Sequence, residues 1–391
     1  MYNKQLKKNI AVLFGGKSVE HDISIITGVQ TLNSLDITKY NIYPIYITKD
    51  NIFTISQNFF DIKFFTKGNI TPKTKNIKQV QFSQDAFLYV TKGKKFVKFT
   101  KLDFVILCTH GGEGEKGSLQ GLLDIYDIPY SSCDVFSSSI CMNKVATKQL
   151  LLQNDINVVD YKTLSKSEYE KGNYLTKIKS LKYPLIVKPC NLGSSIGVTF
   201  CKNNNQLKNA LSFAFLFDNQ ILIEQAVENL KEVNISVMGN SFENECSDIE
   251  EVLFQKDFLT FENKYLNKES SSKGMENTSR IIPANINEEN KDKLIKIAQK
   301  TYSILNCKGV VRIDFLINTK TNQIYVNEVN TIPGSLSNYL WKNKGYSFND
   351  LLEKVMEYSL SEYEKEKKKV VNFSSNVLSQ FNDALKLKLT K

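Results

Sequence analysis

Residues 309–334, GVVRIDFLINTKTNQIYVNEVNTIPG, contain two β-rich runs on either side of a short polar segment. The segment has the length of a hairpin loop, so the runs are predicted to pair as antiparallel strands. A symmetric hairpin places Asp314 opposite Glu328, and it likewise places Arg312 opposite Asn330. Side chains two residues apart share a face, so these four polar groups are predicted to point the same way. The opposite face is predicted to carry Val311, Ile313, Phe315, Tyr325 and Val329.

The facing carboxylates of Asp314 and Glu328 repel each other unless a positive charge lies between them. One interpretation is an arginine–carboxylate cluster on a solvated sheet face, with Arg312 as the positive group. The other is a site for a hard cation, because Asp, Glu and Asn offer oxygen ligands that suit Mg²⁺ shared with phosphates. Arg312 would then be a fixed charge for a transferring phosphoryl group. The hairpin alone leaves both interpretations open.

The composition is that of a globular protein, because 41% of the 391 residues are hydrophobic and 24% are charged. No apolar run approaches the length of a membrane span and no signal-peptide pattern is present, so we expect no membrane association. Seven scattered cysteines without a C-x-x-C pair indicate reduced thiols, a cytoplasmic location and no zinc site. The net charge of +10 comes mainly from dispersed lysines, and we expect no nucleic-acid partner.

Two apolar runs, residues 9–14 and 103–108, each lead into a glycine-rich turn that contains one of the two histidines. Strand–turn–helix units place such turns at the carboxyl edge of a parallel sheet, where ligands bind. The first turn carries Glu20 and His21, and the second carries His110. Glu20 would hold a substrate ammonium group or, in the alternative interpretation, only cap the following helix.

A strand at residues 183–190 carries Lys188 near its end and leads into residues 191–198, NLGSSIGV. Small residues let backbone N–H groups and hydroxyls close over phosphate oxygens, and the lysine adds positive charge there. Glu224 ends another apolar strand, where it would accept hydrogen bonds from adenine or ribose or would be a solvated strand end. Residues 255–280 form a long polar segment, predicted to be a functional lid or disordered.

In order and spacing, these motifs resemble those of ATP-grasp carboxylate–amine ligases, and among them the D-alanine–D-alanine ligase family. The resemblance covers roughly residues 9–360 and rests on GGKSVEHDIS, HGGEGEKGSLQG, Lys144, KPCNLGSSIG, LIEQ, KYL, RIDF and NEVNTIPG. It implies an ATP-dependent enzyme that joins two D-alanines through an acyl phosphate for peptidoglycan precursors. The alternative is an ATP-grasp ligase that joins other amino acids or hydroxy acids.

The resemblance also implies the architecture, an α/β chain that becomes α+β in its C-terminal part. An ATP-grasp fold would follow an N-terminal open parallel α/β domain. The expected divisions are a substrate-binding domain (1–142), a central ATP-grasp subdomain (143–232), a C-terminal ATP-grasp subdomain with metal site and lid (233–360) and a helical surface tail (361–391). The expected partners are the small molecules D-alanine and ATP, and the expected assembly is a homodimer.

Site roles follow from the same resemblance. Mg²⁺, or Mn²⁺, would be bound by Asp314, Glu328 and Asn330. ATP would be bound by Lys144, Lys188, Ser195, Glu224, Gln225, Val227 and Glu232. The catalytic groups would be Glu20, Ser194, Tyr265, Arg312 and Gly334. The first substrate would lie against His110 and Glu115.

The chain departs from the family where the second substrate binds. Tyr339 stands nine residues after Asn330, where the family has a serine that binds the second substrate's carboxylate. Ser335 or Ser337 would take over that role. By resemblance, the pair Lys264 and Tyr265 favours D-alanine over D-lactate as the second substrate.

Overall fold

The computed structural model describes residues 7–66, 68, 70–172, 174–253 and 280–370, and the single residues 375, 377, 378 and 381. Lys264 and Tyr265, and the predicted lid up to residue 279, lie outside the described residues. Most of the predicted tail lies outside them as well. The described residues form three sheets and the helices that cover them.

The strands form three sheets. In chain order they are β1 (Lys8–Gly15), β2 (Tyr40–Ile47), β3 (Phe53–Ile55), β4 (Lys78–Ser83), β5 (Phe87–Lys92), β6 (Lys95–Lys101), β7 (Phe104–Leu107), β8 (Tyr161–Ser165), β9 (Leu185–Pro189), β10 (Thr199–Cys201), β11 (Gln220–Gln225), β12 (Leu230–Gly239), β13 (Asn244–Val252), β14 (Arg280–Ile281), β15 (Gly309–Asn318) and β16 (Gln323–Asn330).

The helices of the described residues vary from one to five turns. They are α1 (His21–Ser34), α2 (Ile62–Phe65), α3 (Gly112–Glu115), α4 (Ser118–Ile125), α5 (Val135–Met142), α6 (Lys144–Gln153), α7 (Lys166–Glu170), α8 (Tyr174–Ile178), α9 (Asn204–Ala214), α10 (Glu288–Ile304) and α11 (Phe348–Glu366). Within the described part of the chain, none of them is both long and apolar enough to cross a membrane.

The first sheet has the strand order β6-β5-β4-β3-β2-β1-β7. Strand β1 lies between β2 and β7 and runs parallel to both, and the side chains from Ile10 to Phe14 are buried, as a strand covered on both faces requires. This part confirms the predicted open parallel sheet. β3 to β6 extend the sheet with antiparallel pairs, because short connections join successive strands there. The N-terminal sheet is therefore mixed.

The second and third sheets are antiparallel, as the α+β prediction requires. The second has the order β10-β9-β11-β8 and the third β14-β13-β12-β15-β16. One face of the third sheet contributes Val233, Ile235, Ile313 and Phe315 to a core that also contains Leu294 of α10. The opposite face carries polar side chains, among them Asn234 and Asp314, so α10 packs on the face of the sheet away from the candidate site.

Two of the predicted domain boundaries fall inside secondary-structure elements. The boundary after residue 232 falls inside β12, and the boundary after residue 360 falls inside α11. We propose that the central and C-terminal subdomains divide just before Leu230 instead, because β12 pairs with β15 along its whole length. The other divisions stay predictions.

Close packing between α1 and β1 gives a test of the fold. A Cβ atom on Gly28 would lie 2.3 Å from Cγ of Phe14, whereas a Cβ on Gly121 of α4 would lie 3.5 Å from Cγ2 of Val135. Gly28→Ala is therefore expected to have a free energy of unfolding about 1–3 kcal/mol below that of Gly121→Ala, measured by urea unfolding. Equal stabilities would contradict the packing of α1 on β1.

Candidate functional site

The hairpin of β15 and β16 confirms the predicted register, with Asp314 paired with Glu328 and Arg312 with Asn330. Arg312 binds Asp314 through two bonds, Nε to Oδ1 at 2.6 Å and Nη2 to Oδ2 at 2.8 Å. Asn330 Nδ2 donates to the same carboxylate at 3.2 Å. On the facing strand, Lys144 Nζ lies 3.2 Å from Glu328 Oε2. Each carboxylate therefore has a cation of its own.

A β-bulge interrupts this hairpin just after the charged pair. Asp314 pairs with Glu328 but Phe315 pairs with Val326, so Asn327 is an extra residue on β16. The extra residue reverses the alternation of faces beyond it. The prediction that Tyr325 shares the apolar face is therefore wrong, since Tyr325 pairs with Leu316 and is half-exposed.

The bulge adds Asn327 to the site, a residue that the sequence analysis missed. Lys188 Nζ donates a hydrogen bond to its Oδ1 at 3.0 Å. Asn327 thereby connects the third sheet to the strand β9 of the second sheet. A hairpin drawn without a bulge gives no reason to place Asn327 beside Lys188.

A row of polar side chains continues from the hairpin across the third sheet. Asn234 on β12 pairs with Asp314 on one side and with Glu250 on the other. Its Nδ2 donates to Glu250 Oε2 at 3.1 Å, and both side chains are buried. The row therefore runs through four strands, from Glu328 to Glu250, and its last two members were missed in the sequence.

Glu224 is the most strongly paired carboxylate of the cleft. Its Oε1 lies 2.7 Å from Lys148 Nζ, and its Oε2 lies 2.5 Å from Lys188 Nζ. Burial acts to raise the pKa of Glu224, but the two lysines outweigh burial and lower it to about 2. Lys148 is itself fully buried and was not predicted as a site residue. The predicted contact of Glu224 with adenine stays a prediction.

The glycine loop between β9 and β10 touches the N-terminal domain, and the two strands form an antiparallel hairpin in which Val187 pairs with Thr199. Ser194 Oγ donates a hydrogen bond to Glu20 Oε1. A Cβ atom on Gly193 would lie 2.9 Å from Glu20 Oε2, so only glycine permits this approach without displacing the carboxylate. The structure thus brings together Glu20 and Ser194, two of the predicted catalytic groups.

His110 anchors the segment that follows β16 to the first sheet. Its Nδ1 lies 2.7 Å from the Ile332 carbonyl oxygen and its Nε2 lies 2.8 Å from Thr27 Oγ1. A carbonyl only accepts, so Nδ1 carries the proton and Nε2 accepts from the threonine. Burial lowers the pKa of His110 to about 4, which keeps the ring neutral near pH 7.

Glu115 reinforces the same anchor. It accepts hydrogen bonds from the backbone nitrogens of Gly111 at 2.8 Å and Ile332 at 3.2 Å. Burial, followed by the nearby charge of Glu20, raises the pKa of Glu115 to about 7. The predicted first-substrate residues are thus also the residues that fix the geometry of the pocket wall.

Two adjoining cavities, which share lining residues, are lined by most of the predicted residues. The predicted residues that line the first cavity are Glu20, His110, Glu115, Lys144, Ser194, Glu232, Arg312, Glu328, Asn330 and Gly334. The predicted residues that line the second cavity are Lys144, Lys188, Ser195, Glu224, Gln225, Val227, Glu232 and Glu328. All seven predicted ATP-binding residues thus lie around the second cavity. Lys144, Glu232 and Glu328 belong to both.

Ser335 and Ser337 do not line either cavity within the described residues. Ser335 is buried, and its backbone nitrogen donates to Thr27 Oγ1 at 3.0 Å. Ser337 is fully buried, and residues 335 to 337 all have positive φ angles near 50°. Their predicted role in binding the second substrate stays a prediction that the lining of the two cavities does not favour. Asp314 is also buried, and its carboxylate accepts hydrogen bonds from Arg312 and Asn330.

The fold and the cleft between the second and third sheets define the ATP-grasp class of ligase. Among solved structures, the D-alanine–D-alanine ligase from Coxiella burnetii matches with a TM-score of 0.78 and 26% identity over 93% of this chain and 96% of that one. The VanG D-Ala:D-Ser ligase from Enterococcus faecalis matches with a TM-score of 0.73 and 27% identity over 92% of this chain and 100% of that one.

Within that class, the chain belongs to the D-Ala–D-Ala ligase family. Residues 9–133 match the family described as D-ala D-ala ligase N-terminus, and residues 150–357 match D-ala D-ala ligase C-terminus. The D-alanine–D-alanine ligase of Thermosipho melanesiensis is 40% identical over 95% of this chain and 98% of that protein. The D-alanine–D-alanine ligase of Staphylococcus haemolyticus is 34% identical over 93% and 98%.

The buried pair of Lys148 and Glu224 has a matched surface counterpart in Lys177 and Glu168. The pKa of Glu168 is also lowered to about 2, with the hydrogen bond from Lys177 as the largest cause, but that pair is solvated. Lys148→Met is expected to lower the free energy of unfolding by about 3 kcal/mol at pH 7, because it leaves a buried carboxylate short of a cation. Lys177→Met is expected to change it little.

The sign of the pH dependence gives a second check on the pair. The folded-state pKa of Glu224 lies below its ordinary value of 4.5, so its stabilising contribution is complete above pH 4.5 and is lost as the pH falls towards 2. The difference between the wild type and Lys148→Met should shrink over that interval in urea unfolding. A difference that is constant with pH would contradict the assignment.

Proposed function

We propose that this chain joins two D-alanine molecules into D-alanyl-D-alanine for peptidoglycan synthesis and converts ATP into ADP and phosphate. The observation that supports the proposal most directly is the pair of adjoining cavities. One is lined by the residues predicted to bind ATP, and the other by Glu20, His110 and Glu115, which are predicted to bind the first amino acid. Lys144 and Glu328 lie where the two meet, which is where a terminal phosphate would have to face a substrate carboxylate.

The nucleotide would occupy the second cavity, with its phosphates near Lys144 and Lys188. Lys144 Nζ also donates to the Leu192 carbonyl oxygen of the glycine loop at 2.7 Å, so one cation connects the loop to Glu328. Phosphate binding in this place would add negative charge to lysines that are already held in position. Gln225 and Val227 lie at the end of β11, where their backbone groups would face the base.

A divalent cation would be held by Asp314, Glu328 and Asn330. All three offer oxygen donors, which fit Mg²⁺ and also Mn²⁺. Two carboxylates and one amide would suit an ion that takes its remaining ligands from phosphates. Bound there, the ion would act as a Lewis acid that offsets phosphate charge.

The reaction proceeds by activation of a carboxylate. An oxygen of the first D-alanine attacks the γ-phosphorus, ADP leaves and an acyl phosphate forms. Glu20 would bind the ammonium group of this substrate. The amine of the second D-alanine then attacks the carbonyl carbon, loses a proton and expels phosphate. Arg312 and the backbone N–H of Gly334 would stabilise the negative oxygen of the tetrahedral intermediate.

The environment of Arg312 fits this role. Burial acts to lower the pKa of Arg312, but the Asp314 carboxylate outweighs burial and raises the pKa above its ordinary value. The guanidinium thus stays charged and is held in a fixed orientation by two bonds to Asp314. A preoriented charge costs little reorganisation when the oxyanion forms.

We also propose that the chain acts in the cytoplasm as a homodimer that uses Mg²⁺. These proposals follow the expectations from the sequence and rest on family membership. Gel filtration with light scattering tests the dimer, and a monomer at micromolar concentration would contradict it. Titration with Mg²⁺ and Mn²⁺ tests the choice of metal.

The proposed reaction is tested with purified protein, ATP, Mg²⁺ and a panel of D-alanine, D-serine, D-lactate and L-alanine. Phosphate release and D-alanyl-D-alanine, detected by mass spectrometry, are expected with D-alanine alone. Asp314→Asn is expected to lower kcat/KM at least about 100-fold, because it removes a charge next to the transferring phosphoryl group. Asp292→Asn makes the same change on the exposed face of α10 and should leave the rate unchanged.

Two results would contradict the proposal. Phosphate release with another acceptor but none when D-alanine is the sole amino acid would favour a ligase for a different second substrate. Full activity in Asp314→Asn would remove the proposed metal site while leaving the substrate assignment intact.

A further inference from the structure

Arginine is rare in this chain. Of its 51 lysine and arginine residues only two are arginines, Arg280 and Arg312. Both line the first cavity. Lysine supplies positive charge everywhere else, so a position that keeps arginine is one where the planar, multi-donor guanidinium matters and not charge alone. Arg312 has a role in the proposed reaction, whereas Arg280 has none so far.

The position of Arg280 is fixed by the third sheet. It lies on the short edge strand β14, paired with Val252 of β13, and Val252 also lines the first cavity. Residues two apart on β13 share a face, which places Glu250 beside this pair. Nη1 of Arg280 lies 3.1 Å from Glu250 Oε1, and the side chain is largely buried. Arg280 therefore extends the polar row that begins at Glu328.

The ring of Tyr339 packs against the guanidinium group of Arg280. The guanidinium carbon lies 4.5 Å from the centre of the Tyr339 ring, a distance suited to cation–π stacking. The phenol hydroxyl donates to Glu250 Oε2 at 2.9 Å. Burial, followed by the charge of Glu250, raises the pKa of Tyr339, while Arg312 and Arg280 act in the opposite direction. The phenol thus stays a neutral donor between the two guanidinium groups.

We propose that Arg280 binds the carboxylate of the second amino-acid substrate, and that Tyr339 and Glu250 are positioning residues that hold its guanidinium against the first cavity. The inference rests on the proposed function and assigns a specificity-determining residue for it. The hydroxyl of Tyr339 donates to Glu250, and the serines at 335 and 337 do not line the cavity. Among these residues, Arg280 is therefore the one that can present a positive charge to the carboxylate of the second substrate.

The chemistry of a free amino acid suits Arg280 and Asn234. The arriving substrate carries a carboxylate, to which the guanidinium of Arg280 presents the complementary charge. Asn234 adds an acceptor, because its Oδ1 is buried, lines the same cavity through its side chain and has no hydrogen-bond donor among the described residues. A substrate held by its carboxylate at Arg280 would thus have its amine near Asn234, on the side of Arg312.

The inference is tested by competition between two acceptors, D-alanine and D-alaninamide. Both carry the same amine, but the amide has no carboxylate and cannot be activated as the first substrate. With both present at equal concentration, the ratio of D-alanyl-D-alanine to its amide, measured by mass spectrometry, gives the relative kcat/KM of the acceptors. This ratio does not depend on how much of the protein is active, so partial loss of folding does not alter it.

The wild type is expected to favour the free acid strongly, and Arg280→Gln to lower that preference at least about tenfold, because a neutral side chain no longer distinguishes carboxylate from amide. Arg280→Lys should fall between them, since it keeps the charge but loses the fork. Tyr339→Phe keeps the ring but frees Glu250, and should reduce the preference by a smaller factor.

Lys231→Gln is the matched control. Lys231 forms an ion pair with Glu251 at 2.8 Å in the same sheet, but it does not line the first cavity. Its loss should leave the preference unchanged. If Arg280→Gln keeps the wild-type preference for the free acid over the amide, the inference is overturned. If Arg280→Gln gives no product, the same result in Arg280→Lys would overturn it. Absence of any dipeptide from the wild type would instead contradict the proposed function.

Discussion

The pairing of Asp314 with Glu328 puts two carboxylates opposite each other on adjacent strands, and most of the cleft compensates for that repulsion. Facing charges of one sign destabilise a sheet unless cations are close. Arg312 and Lys144 provide them, one from the same strand and one from the start of α6. These ion pairs thus bring together residues that are distant in sequence, such as Lys144 and Glu328.

The same principle extends beyond the hairpin. Lys188 binds both Glu224 and Asn327, so it connects the second sheet with the third. Lys144 binds Glu328 and the glycine loop, and Ser194 of that loop binds Glu20 of the first domain. Buried charges are costly unless they are paired. The cleft therefore contains cations that are already ordered where phosphate oxygens would arrive.

The parts of the fold that could be predicted from the sequence are those with local causes. A short polar loop predicted that β15 pairs with β16, and a continuous apolar run predicted that β1 is a strand covered on both faces. The bulge at Asn327 has no such cause, because one extra residue costs little and leaves no mark in the pattern. Tyr325 was therefore placed on the wrong face.

The missed site residues depend on long-range contacts. Asn234 alternates with Val233 and Ile235, which indicates one polar face on β12 but not that Asp314 and Glu250 flank it. Lys148 reads as an ordinary helix residue until Glu224 is placed beside it. The serines at 335 and 337 were candidates because the family has a serine close by, and in the structure both are buried and line neither of the two cavities.

The central claim is that the carboxylates of the hairpin and the lysines of the cleft act as one site for a nucleotide and a divalent cation. Calorimetric titration of ADP with and without Mg²⁺ tests it without requiring turnover. The account predicts at least about tenfold tighter ADP binding with Mg²⁺, and loss of that dependence in Glu328→Gln. ADP binding of equal strength with and without Mg²⁺ in the wild type would contradict it.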